Sequence, residues 1–178
     1  DASVTTPDRP ALEQQFVAAL EALAPTPRVL DAALLDRLEQ LFDVQVASRQ
    51  CDLVARWLRG QGKGFYTIGS SGHESNGAVA MSLHPRDPAL LHYRSGAFFL
   101  ARAGLGGIDD IMAGVCAAAD EPIAGGRHKV IGRHDLAIIP QTSTIASHLP
   151  RAMGVAFAIG RAGRLGVPSP WEPDSLAV

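Results

Sequence analysis

A chain of 178 residues, 47% hydrophobic and 19% charged, has ordinary globular composition and is long enough to bury a core. Its formal net charge of −2 lacks the basic excess that nucleic acid or an anionic membrane surface would require. No run approaches the ~18 apolar residues of a membrane span, and the opening DASVTTPDRP has no basic start followed by an apolar block, so the expected setting is cytoplasmic.

Residues 1–30 read as an N-terminal arm and a short helix, and 31–178 as the first part of one domain. Leu12, Phe16, Ala19, Leu20 and Leu23 recur at helical spacing, and Pro25 with Pro27 ends that helix. Asp31 is placed to cap a long helix that continues through Leu34, Leu38, Leu41, Phe42, Leu53 and Trp57 to Gly60. Its apolar stripe is wider than one small domain covers, which points to a subunit partner. Cys51 and Cys116 lie in apolar helical patterns without metal-ligand spacing and read as buried free thiols.

The stretch GQGKGFYTIGSSG (60–72) is either a flexible connection or a backbone that approaches a ligand closely. His73-Glu74 opens a helix of small residues ending near Pro85, with an acid suited to a helix N-terminus. Leu90-Leu91-His92-Tyr93 reads as a short apolar strand running into Arg94-Ser95-Gly96 and a helix from Ala97 to Ala103. Such an order presents Tyr93 and Arg94 where open α/β sheets bind ligands, although a core tyrosine and a surface arginine fit the local residues equally well.

Ile108 to Ala119 has helical spacing, with Asp109 and Asp110 in its first turn. The long segment 120–141 carries Arg127, His128, Lys129, Arg133 and His134, a local positive charge that the whole chain lacks. Ile138-Ile139 suggests a brief strand before the hydroxyl-rich turn 141–144. The last helix starts near Pro150 and is built from small and apolar residues. Asp174 to Val178 reads as the opening of a buried strand, cut in mid-element.

Four stretches in this order, GFYTIGSSGHESNGAVAMSL, HYRSGAFFLARAG, GGRHKVIG and TSTIASHLPRAMGVAFA, resemble the alpha part of the decarboxylating component of thiamine-diphosphate-dependent 2-oxo acid dehydrogenases, the branched-chain (2-oxoisovalerate) group above all. The resemblance implies an α/β fold with a largely parallel sheet and helices on both faces, of which this chain would be the helix-rich N-terminal portion. It implies oxidative decarboxylation of a 2-oxo acid with transfer of the acyl group to a lipoyl domain, using thiamine diphosphate and Mg2+.

By the same resemblance Tyr93 and Arg94 meet the diphosphate, and Ser143 with the Ile145 backbone touches the cofactor near its aminopyrimidine. Tyr66 and its neighbour Phe65 line the substrate pocket. Arg127 and His128 lie in a substrate-closing loop, with His128 the candidate for the catalytic histidine. That loop is shortened here, which leaves His134 as the other candidate. The Mg2+ ligands and the activating glutamate would lie beyond residue 178 and in a beta part, fused or separate. Acetoin dehydrogenase, pyruvate dehydrogenase and transketolase-like enzymes are alternatives, as is a non-catalytic dimerisation or cofactor-docking module.

Overall fold

The structure is a computed structural model and describes residues 11–23, 29, 31–65 and 68–178. The expected arm over 1–10, the stop at Pro25 and Pro27, and Tyr66 lie outside the described residues. The chain divides into two units, Asp1–Leu34 and Leu35–Val178. In the first, helix α1 spans Ala11–Glu21.

Helix α2, Ala32–Gly60, starts where Asp31 was expected to cap it: Asp31 Oδ1 accepts the Leu34 N–H at 2.7 Å. Val44, Ser48, Cys51, Asp52 and Ala55 recur every three or four residues and form its buried side. Half a turn away, Leu35, Leu38, Phe42, Val46, Leu53 and Trp57 are exposed, Phe42 at 65%.

Four further helices complete the described regular structure, with two short 3-10 turns: α3 Asn76–Ser82, α4 Gly96–Ala103, α5 Ile108–Val115 and α6 His148–Leu165. Helix α4 is the centre of the core. Its Ala97, Phe98, Phe99 and Leu100 are all buried, as expected of a short helix that is apolar almost all round. Val44 and Cys51 of α2, Ala80 of α3, Ile111 of α5, and Ala89, Leu91, Ile131 and Ile138 from the connections pack with them. Burying side chains such as Phe99 and Leu100 stabilises the fold by about 1.5–3 kcal/mol each.

Arg102, in the last turn of α4, donates to the carbonyls of Asp87 (2.8 Å), Leu136 (3.0 Å) and His84 (3.4 Å). Its guanidinium also lies 4.9 Å from the centre of the Phe98 ring. One side chain thus fastens two connections to the central helix.

The expected α/β thiamine-diphosphate-binding fold is not what forms. Among the described residues there is no strand and no sheet, only isolated bridges pairing Ala89 with Ile138 in parallel and Arg133 with Ile138 in antiparallel sense. The residues read as strands, 90–93, 138–139 and 174–178, meet only at isolated rungs rather than along a ladder, and a helix takes over at Gly96 directly after the first. Leu90, Leu91 and Ile138 are buried in the helical core instead, whereas Leu176 of the last run, expected to open a buried strand, is 57% exposed. Single rungs remain: Ala89 donates to Ala137 O (2.9 Å), Ile139 to Ala89 O (2.8 Å) and Leu90 to Val178 O (2.7 Å).

Candidate functional site

The site is assembled from the inner face of α2 outward. Buried Asp52 accepts the Ser70 N–H on Oδ1 at 2.9 Å, and Ser70 Oγ accepts the Gly96 N–H at 3.1 Å. This fastens the Gly-rich loop to α2 on one side and to the start of α4 on the other. Gly69 and Gly96 are glycines for lack of room: a Cβ on Gly69 would overlap the Asp52 carboxylate, and one on Gly96 would come within 2.5 Å of Ser70 Oγ.

The held loop positions an arginine. Gly69 O accepts from Arg94 Nη1 at 3.1 Å, and the Arg94 guanidinium carbon lies 5.4 Å from the centre of the Tyr93 ring. Tyr93 in turn packs against His92, with ring centres 3.7 Å apart and planes tilted by 41°. His92 faces His148, the first residue of α6, at 6.4 Å between ring centres. Beside them Ser143 Oγ and His128 Nε2 share a 2.8 Å hydrogen bond, whose direction depends on the histidine tautomer.

Electrostatics tie these groups together. Burial holds His92 below the usual histidine range, and the positive charges of His148, Arg94 and His73 push it the same way, while a hydrogen bond with the Ser143 backbone pulls it up. No carboxylate is among these influences. His92 Nε2 and His148 Nδ1 are both buried without a hydrogen-bond partner among the described residues.

Of the residues singled out in the sequence, Tyr93, Arg94, Ser143 and His128 fall within this cluster. Phe65, Arg127 and Ile145 do not join it through any hydrogen bond among the described residues. Phe65 is 64% exposed, its N–H bonded to Val115 O at 3.0 Å. Arg127 is exposed in a turn closed onto Ala124 O at 3.2 Å, and Ile145 is 78% exposed. His134 is exposed in the 3-10 turn His134–Leu136. Sequence reading missed His92 and His148 as site residues, although each stands in a quoted stretch and His92 precedes the Tyr-Arg pair.

Two cavities matter less. One, bordered by Ser48, Cys51, Asp52, Ser70, Tyr93 and Lys129, has a volume of about 30 Å3, room for a single water rather than a substrate. Lys129 beside it is buried, which lowers its pKa, while the Asp52 carboxylate opposes that shift. The other, about 680 Å3, is bordered by Arg86, Arg133, His134, Ile139 and Trp171. Its Arg133 is already paired with Asp110 at 3.3 Å and Asp135 at 2.6 Å.

No protein-family model matches the chain, and no curated protein matches it. The reading as a thiamine-diphosphate-dependent 2-oxo acid dehydrogenase, an oxidoreductase passing acyl groups to lipoamide, depended on a parallel sheet to carry the cofactor. The helical arrangement does not supply that sheet, so the activity is withdrawn with the fold. Thiamine diphosphate and Mg2+ are withdrawn as cofactors on the same ground, and among the described residues no three His, Cys, Asp or Glu side chains stand together as a metal site.

Proposed function

We propose that this chain is a helical ligand-binding domain whose cluster of His73, His92, Arg94, His128, Ser143 and His148 takes a small organic anion, a carboxylate such as a 2-oxo acid or a phosphate. The observation that carries the reading is that His92 Nε2 and His148 Nδ1 are buried without a partner among the described residues, on rings 6.4 Å apart, next to the Tyr93–Arg94 pair. An arginine keeps its charge at any working pH and matches a carboxylate or phosphate with a planar fork of donors. The unpartnered nitrogens of His92 and His148 become donors when the rings are protonated, and a ligand anion would then complete their hydrogen bonds.

Binding and protonation are coupled in this arrangement. An anion beside His92 favours its charged form, so binding draws in protons and is tighter at pH 6 than at pH 8. Calorimetry with pyruvate and with inorganic phosphate at both pH values tests this and separates the two anion classes. Saturable heat is expected, stronger at pH 6. Arg94→Ala should lose about 1.5–3 kcal/mol of binding, the range for a charged hydrogen bond. Silence from both anions, or an affinity that Arg94→Ala leaves unchanged, refutes the assignment.

A further inference from the structure

Two helices each present an uncovered apolar face. On α6, Leu149, Met153 and Phe157 stand four residues apart on one stripe, and Met153 and Phe157 are both 72% exposed. Ala156 and Gly160 are exposed along the same side, and the space where a Gly160 Cβ would sit is open. The first half of α2 offers Leu35, Leu38, Phe42 and Val46 on its outer side.

Their charges are opposite. Helix α6 carries Arg151, Arg161 and Arg164 and no acid. Arg151 is occupied with Pro140 O at 3.0 Å, which leaves Arg161 and Arg164 exposed at the C-terminal end. The first half of α2 carries Asp36, Glu39 and Asp43, all exposed, and its Arg37 is turned to Met81 O at 3.0 Å. Both ion pairs found among the described residues belong to Arg133, so neither group of charges is neutralised there.

The helical repeat decides how the faces fit. At about 100° per residue, Asp36, Glu39 and Asp43 all fall on one flank of the α2 stripe, Arg161 falls on the corresponding flank of the α6 stripe, and Arg164 continues the α6 stripe itself. When two helices meet face to face, corresponding flanks come together only if the helices run antiparallel. In the register that sets Asp36 level with Arg164 and Glu39 with Arg161, Phe42 and Val46 come level, to within one residue, with Phe157 and Met153. Phe42 comes down beside the small residues Ala156 and Gly160, which allow the close approach that ridges-into-grooves packing needs.

We propose that α6 docks antiparallel on the outer face of the first half of α2 in a second copy of this chain. In a two-fold dimer the contact is made twice, α6 of each copy on α2 of the other. The apolar stripes supply the affinity, and the flanking charges set direction and register. The inference does not depend on the anion site.

The test is sedimentation velocity on the full chain over a hundredfold range of concentration. The expected result is a reversible dimer. Asp36→Arg with Glu39→Arg in one variant, and Arg161→Glu with Arg164→Glu in another, should each weaken it at least tenfold. An equimolar mixture of the two variants should dimerise again, since the reversed α2 of one faces the reversed α6 of the other. All four positions are exposed, and circular dichroism checks that each variant keeps its fold. A chain that stays monomeric throughout, a dimer indifferent to both charge reversals, or variants that fail to recover on mixing overturns the proposal.

Discussion

Gly126 is the position where a single methyl group should do most harm to the loop that carries His128. Its φ of +70 is in the left-handed region, and a Cβ built there would press into the Ala117 carbonyl and lie 2.6 Å from Ala118 O. Both neighbours are backbone and cannot rotate away. Gly126→Ala therefore adds left-handed strain of about 1–2 kcal/mol to an overpacking cost of about 1–3 kcal/mol. The sum, about 2–5 kcal/mol, corresponds to a fall in Tm of about 4–20 °C for a chain of this size. Gly125 is the internal control. Its φ is +57, but the nearest atom to an added Cβ is Ala119 O at 3.6 Å, so Gly125→Ala bears only the backbone strain. Thermal denaturation followed by circular dichroism compares the two. Equal losses, or a Gly126→Ala variant within about 1 kcal/mol of the parent, would show that close packing against 117–118 is not what this loop depends on.

The remaining predictions concern the same loop and the histidine cluster. Buried Glu121 gathers the loop by accepting from the N–H groups of Ile123 (3.0 Å), Ala124 (2.6 Å) and Gly126 (3.4 Å), so Glu121→Ala should cost about 1.5–3 kcal/mol. Glu121→Gln keeps an acceptor and should cost less, and chemical denaturation in urea checks the order. His92 has a folded pKa below its unfolded one, so its contribution to stability is fully present above the unfolded value near 6.5 and is lost as pH falls through the folded value. Stability measured from pH 8 to pH 5 should decline toward acid, and His92→Gln should flatten that decline; a slope unchanged by the substitution removes His92 as its source.

The helices were legible because their signals are local. The Asp31 cap, the acids at Asp109 and Asp110 and the periodic apolar residues of α2 each state a boundary or a face within a few residues. The sheet was misread because a short apolar run such as Leu90-Leu91 carries no period of its own. Its burial beside Phe98 and Phe99 is settled by long-range packing that the run does not encode. Tyr93, Arg94, Ser143 and His128 stood out for their chemical types. That His148 faces His92 follows from where the first turn of α6 lies relative to a segment 56 residues away, which no spacing rule expresses. The excess of apolar surface on α2 was readable as a stripe too wide for one small domain.

The hydrogen bonds through Asp52 and Ser70 give α2 two audiences. Asp52 projects from the inner face of the helix, Ser70 and Gly69 hang from it, and Gly69 O is the brace against which Arg94 rests. Whatever grips the outer face of α2 strongly enough to slide or rotate it also moves that brace. Thermodynamic linkage then runs both ways: an anion that pulls Arg94 off Gly69 O would alter the grip on the far side of the helix by the same factor by which the grip alters anion affinity.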